Sequence, residues 1–197
     1  MKEETKLKIM SYFLAIYAVA FIILSFIDNN LEFLFYSFIM FILTVIVVLY
    51  HKHIRLTSSL IIGLILISVL HTFGGHVFIH GTRLYDFYLI NGIFRYDNLV
   101  HFIGYYVTTL IAYNLLFPYL DDRIKTNTVY LSLLLIFITI GIGAVNEIFE
   151  LLAVLFLNAG LRVGDYFNNA LDLVFNLLGS SAACFYLMYH YKKHRKE

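Results

Sequence analysis

Six apolar stretches govern what this chain can become: residues 7–27, 31–50, 56–77, 97–117, 128–157 and 167–191. Each is about as long as the roughly 20 residues that carry an α-helix across a bilayer core. With 61% hydrophobic and only 14% charged residues, the chain is too apolar for a water-soluble domain of its length. Inside hydrocarbon every backbone N–H and C=O must bond internally, which leaves helices or a closed barrel. Segment length, and the lack of ten-residue alternating patterns, predict helices. The expected fold is therefore all-α: a polytopic membrane protein of six transmembrane helices in a single domain over residues 1–197. Residues 1–55 read as a two-helix scaffold and residues 56–191 as a four-helix part that carries the polar groups. The first apolar stretch follows MKEETK without a small-residue cleavage site, and so reads as a retained helix.

Basic residues set the expected orientation. Lys2, Lys6, Lys8, Lys52, Arg55, Arg123, Lys125, Lys192, Lys193, Arg195 and Lys196 fall on one side; Arg83, Arg95 and Arg162 fall on the other. This asymmetry predicts a multi-pass protein of the cytoplasmic membrane with both termini in the cytoplasm. The formal charge of +1 offers no basic excess for nucleic acid, so the lipid bilayer is the expected partner. The one cysteine, Cys184, cannot form an intrachain disulfide and argues against a thiolate metal site.

Against this background the acids inside apolar stretches stand out. An acid at mid-bilayer costs roughly 2.5–3.5 kcal/mol on insertion scales, so each needs a partner or a purpose. Glu147 and Glu150 are separated by i, i+3 on the fifth stretch; Asp165, Asn169, Asp172 and Asn176 follow one stripe of the sixth. The link over residues 158–164 is short enough to make these two helices antiparallel neighbours. Asp97 and His101 lie one turn apart at the start of the fourth stretch, and His71 lies inside the end of the third. Topology brings all these groups to the outer half of the membrane.

Each group has a plainer reading beside the functional one. Asp97 can cap its helix, whereas His101, a turn deeper, is not explained by capping. Glu147 and Glu150 fit metal ligation, a proton relay, or a buried pair held by Asn146, Arg162 or tyrosines. Asp172 and Asn176 can ligate a hard cation or hydrogen-bond to Glu147 across the helix pair. His71 weighs evenly between a satisfied interior group and a functional one, while His76 and His80 fall below that.

The runs LHTFGGH, RYDNLVHF, NEIFE and GDYFNNALDLVFNLLG are together similar to the YjdF-like family of inner-membrane proteins of unknown function. More distantly, the order of these motifs resembles VanZ-like membrane proteins, which are linked to glycopeptide tolerance and the cell envelope. The resemblance covers residues 71–179 and implies polar positions at His71, Asp97, His101, Glu147, Glu150, Asp165 and Asp172. Asn168 or Asn169 stands where the family pattern leads one to expect an acid.

The mixed His, Asp and Glu set suits zinc, manganese, iron or magnesium, and no organic cofactor is indicated. The leading expectation is a metal-dependent hydrolase or transferase acting on a lipid-linked or amphiphilic envelope substrate. His101, Glu147, Glu150 and Asp172 would hold the metal, with Glu150 also catalytic beside Asp97 and His71. Arg162, Asp165 and Asn169 would bind substrate, Arg162 by receiving an anionic headgroup. The rivals are a proton- or cation-coupled transporter or lipid translocator, and a non-catalytic envelope factor.

Overall fold

In a computed structural model, the chain is described at residues 3–27, 34–36, 38–39, 41–42, 45–46, 49, 56–157 and 166–194. It is mostly helical. Long helices run over Glu3–Ile27 (α1), Ser58–His76 (α2), Tyr96–Leu116 (α3), Thr128–Leu157 (α5) and Tyr166–His194 (α6), with a short helix, Asp122–Thr126 (α4), between α3 and α5. Five helices among the described residues are long and apolar enough to cross a membrane. The described positions between 34 and 49, within the second apolar stretch, are also helical. Residues 158–165, which include Arg162 and Asp165, lie outside the described ones.

The outer surface is that of a protein solvated by lipid. Large apolar side chains such as Ile16, Phe137 and Phe156 are more than two-thirds exposed. In hydrocarbon, apolar side chains facing outward cost nothing, and helix association depends on close packing and interhelical hydrogen bonds. Small residues provide that packing. A Cβ on Gly179 of α6 would collide with the Phe102 carbonyl oxygen of α3. One on Gly63 of α2 would lie 2.8 Å from a Val107 methyl, and one on Gly143 of α5 would lie 2.9 Å from Asn176 Nδ2. Helix α3 is thus clasped by α2, α5 and α6. Thr139 of α5 donates to Ser180 Oγ of α6 at 2.9 Å, and Tyr17 of α1 donates to Ser68 O of α2 at 2.8 Å.

Two apolar clusters fill one end of the bundle. Leu56, Leu60 and Ile61 pack with Leu7, Met10 and Leu110; Ala112, Leu131, Leu135 and Cys184 pack with Tyr113, Leu116 and Leu187. At this end α4 connects α3 to α5, and Asp121 caps it by accepting from Arg123 N–H at 2.9 Å.

The opposite end carries a folded cap over residues 77–95, where the sequence indicated only a loop. Strands Phe78–Ile79 (β1) and Thr82–Arg83 (β2) pair around His80 and Gly81, both with positive φ (49° and 81°). That is the backbone a two-residue hairpin turn requires. A second hairpin joins Tyr88–Ile90 (β3) to Phe94–Arg95 (β4), with Gly92 at φ 72°. The 3₁₀ turn Leu84–Asp86 between them folds Tyr85 back over the helix ends.

Candidate functional site: a histidine among four carboxylates

The site starts with how α3 begins. Asn98 Oδ1 accepts from Arg95 N–H at 3.0 Å, so Asn98 satisfies the helix start, not Asp97. The Asp97 carboxylate instead turns towards His101, one turn on, with Oδ1 3.6 Å from Nε2.

Helix α6 faces this pair with three polar side chains at spacings of four. Asn176 Oδ1 lies 2.9 Å from His101 Nδ1, and Asp172 Oδ1 lies 3.7 Å from His101 Nε2. Asn168 donates to Asp172 Oδ2 at 2.9 Å and reaches Asp97 Oδ2 at 3.4 Å, while its own oxygen accepts from Arg95 at 2.7 Å. Asn168, Asp172 and Asn176 are all buried. The close approach at Gly179 is what allows these side chains to reach α3. Asn176 accordingly binds His101, where the sequence left open a bond to Glu147.

Helix α5 supplies Glu147 and Glu150. Asn146 donates to Glu150 Oε1 at 2.9 Å. Among the described residues, neither carboxylate oxygen of Glu147 has a hydrogen-bond partner, nor does Asp172 Oδ1, although all three atoms are buried. Ligand atoms of Asp97, His101 and Asp172 lie within 4.8 Å of one another, and so do those of His101, Glu147 and Glu150. His101 belongs to both groups and is the hub.

These distances have a chemical meaning. With Asn176 Oδ1 accepting from Nδ1–H, Nε2 is the ring atom that faces the acids, and in a neutral imidazole its lone pair is available to a cation, the tautomer that an outer hydrogen bond fixes in metal-binding histidines. The gaps of 3.6 and 3.7 Å are too long for hydrogen bonds. Two ligands each about 2.1 Å from a shared tetrahedral ion would lie roughly 3.4 Å apart. Four carboxylates around one imidazole also carry an excess of negative charge, which calls for protons or a cation. Imidazole nitrogen with carboxylate oxygens is a donor set for zinc, manganese, iron or magnesium. Cys184 takes no part: it sits in the apolar cluster at the other end, donating to Ser132 O at 3.7 Å.

Beside this cluster lies a cavity of about 260 Å³, lined by Asp97, His101 and Glu150 together with His71, Tyr85 and Arg83. His71 belongs to neither of the two ligand groups. Its Nδ1 is hydrogen-bonded to the Tyr85 hydroxyl, and its ring packs edge-on against Phe21, Tyr36 and Tyr85. Gly74 makes room for Tyr85: a Cβ there would lie 2.7 Å from its ring. Burial, and after it the nearby Asp97 and Glu150 charges, push the Tyr85 phenol well above its ordinary pKa, so it stays a proton donor. Arg83 is held at the cap by Asp86, with Nε 2.9 Å from Oδ2. Arg95 stacks over Tyr88 and donates to its hydroxyl at 3.0 Å, a bond that raises the guanidinium pKa further.

The residues read from sequence thus fall into three sets. Asp97, His101, Glu147, Glu150 and Asp172 converge, and His71 lines the adjoining cavity. Asn169 does not line it; Asn168 does. Arg162 and Asp165 are outside the described residues. The sequence reading passed over Tyr85 and Arg83 as site residues, offered Asn146 only as one holder of a buried acid pair, and assigned Tyr36 and Ile39, which also line the cavity, to the scaffold. Asn146 was legible from its place one helical turn before Glu150; Tyr85 and Arg83 carried no such signal.

No curated protein and no solved structure shows significant similarity to the chain. One family model does match, over residues 9–193, which include all but the first two residues of the first apolar stretch, all four carboxylates and His101. The YjdF-like resemblance corresponds to that family, and the chain belongs to the DUF2238 family of predicted membrane proteins.

Proposed function

We propose that this protein is a metal-dependent hydrolase or transferase of the cell membrane, acting on a lipid-linked or amphiphilic substrate. The observation that carries the reading is the arrangement around His101. One imidazole, fixed through Nδ1 by Asn176, aims Nε2 at Asp97 and Asp172, with Glu147 and Glu150 beside it and three buried carboxylate oxygens that find no hydrogen-bond partner among the described residues. His101, Glu147, Glu150 and Asp172 would hold a divalent ion, with Asp97 completing the set. When bound, that ion would activate water or polarise a phosphoryl or carbonyl oxygen.

The side chains have separable tasks. Asn176 orients the imidazole and Asn146 orients Glu150. Glu150, reaching both the ion site and the cavity, is placed to move a proton. Tyr85 holds His71 at the cavity wall. Six transmembrane helices, with the cap and its Arg83 and Arg95 outside and the termini in the cytoplasm, agree with the distribution of basic residues. The distant VanZ-like resemblance points the same way, to an envelope substrate.

A second reading is a proton- or cation-coupled transporter using the acids as a relay. It requires polar groups that continue to the far side. The apolar clusters around Leu60 and Leu135 favour a closed chamber over a pathway.

The test is turnover of phosphate- and carboxylate-ester amphiphiles by protein in lipid nanodiscs loaded with zinc or manganese. Metal-dependent hydrolysis or transfer, lost in Glu150→Gln, is the expected result. A wild-type protein that retains metal yet moves protons or cations across liposomes without turning over any ester would replace the enzyme reading by the transporter.

A further inference from the structure

The cavity changes character along its length. Its cap end is formed by Arg83, Tyr85, Asp97 and Glu150. It then continues down α3 through His101 and Gly104 to Thr108, eleven residues beyond Asp97, or roughly 16 Å at 1.5 Å per residue. The lower walls are Ile39, Ile67, Ser68, Gly104, Tyr105 and Thr108. Two of the three hydroxyls there are already spent on their own helices: Ser68 donates to Leu64 O at 2.9 Å and Thr108 to Gly104 O at 2.8 Å, which leaves the phenol of Tyr105. The lower chamber therefore offers a ligand a mostly apolar wall, with one phenol on it, directly beneath a cluster of charges.

Gly104 is what holds this chamber open. Glycine within a helix costs about 1 kcal/mol relative to alanine. At Gly63, Gly74, Gly143 and Gly179 a neighbouring side chain or backbone occupies the space a Cβ would take; at Gly104 no atom of the described residues lies within 4 Å of that position. Packing does not require this glycine. It faces the cavity, and the space beside it is cavity space.

We infer that the lower chamber receives the hydrocarbon chain of a single-chain amphiphile whose oxyanion head lies at the His101 cluster. The inference deepens the enzyme reading above and rests on it for the head, because carboxylates attract an oxyanion only with a cation between them. The chain is assigned independently by the apolar walls and by Gly104. The reach from the His101 cluster to Thr108, seven residues or roughly 10 Å at 1.5 Å per residue, fits an acyl or alkyl tail, and a small soluble phosphate would leave it unused.

The experiment is photolabelling in nanodiscs with a dodecyl phosphate that carries a diazirine at its chain terminus, followed by mapping of the labelled peptides. Metal content is measured on the same samples. Metal-loaded wild type should be labelled around Ile67 and Thr108, and excess unlabelled dodecyl phosphate should suppress this while inorganic phosphate should not. Gly104→Leu, which fills the chamber, should reduce that labelling by about tenfold, equivalent to roughly 1.4 kcal/mol of lost occupancy. Gly141→Leu is the size-matched control, because Gly141 also has open space around it but is exposed on the outer face; it should leave the labelling unchanged. Thr108→Leu narrows the same chamber from the next turn and repeats the test should Gly104→Leu fail to fold. Labelling confined to outer-face positions such as Ile142 and Leu151, or labelling at Thr108 indifferent to both chamber variants, would overturn the chain assignment even where metal is bound. Suppression by inorganic phosphate alone would reassign the site to a chainless anion. Chamber labelling in a protein that binds no metal would uphold the chain and refute the metal reading.

Discussion

The two ends of the bundle are held together by opposite means. Away from the cap, Leu60, Ile61, Leu131 and Leu135 are buried among other apolar side chains, and the one thiol lies among them. At the cap end, Asn98, Asp172 and Asn176 are as fully buried, yet four carboxylates and an imidazole occupy the space that leucines fill at the other. Apolar packing asks nothing further of its surroundings. A buried cluster of like charges raises the energy of the fold unless protons or a cation compensate it. The difference marks the cap end as the part of the molecule shaped for a task.

Substitutions can break this contrast, and the largest effect should come from the joint both ends share. Gly179→Leu pushes α6 off the Phe102 carbonyl and should destabilise the protein by about 3 kcal/mol, read as loss of folded material in thermal unfolding in detergent. Next come the acids. Glu147→Gln should lower metal affinity at least tenfold, about 1.4 kcal/mol. Without metal the same change should raise the unfolding temperature, because it removes a buried charge. A fall in stability both with and without metal would make Glu147 a structural residue. Asn176→Ala frees the His101 ring and should weaken metal binding by about 10- to 100-fold, the usual cost of losing such an outer hydrogen bond, with the fold intact by circular dichroism.

Acidification offers a further way to sharpen the comparison. Imidazole and carboxylates must shed protons to bind a cation, so metal affinity should fall as pH falls and each binding event should release protons. Isothermal titration in buffers of different ionisation enthalpy measures that release. The smallest effect belongs to the interhelical hydrogen bond between the two ends. Thr139→Val removes the bond to Ser180 and should cost about 0.6 kcal/mol in stability, with metal content unchanged.

Much of this was legible in the sequence for a definite reason. Lipid forces spans to be long, apolar and helical, so the fifth apolar stretch, 128–157, and the helix Thr128–Leu157 coincide. The i, i+4 spacings at 97/101 and 172/176 fix which side chains share a face before any partner is known. Spacing could not choose between Asn168 and Asn169, because offsets of four and three from Asp172 both lie near its face. Contacts on α3 decide it: only Asn168 meets Arg95 and Asp97. Tyr85 was out of reach for another reason. Its place beside His71 depends on a hairpin turn at His80 and Gly81 and on the gap at Gly74, and neither leaves a periodic trace. The five-helix span count likewise differs from the six apolar stretches because residues 31–50 are only partly described.

The most direct measurement is the metal content of the purified wild type, prepared without chelator and reconstituted with zinc, manganese, iron or magnesium, beside Glu147→Gln and Asp172→Asn. The account predicts stoichiometric metal in the wild type, lost in both variants although they change different helices. A well-folded wild type that takes up none of these metals would contradict it.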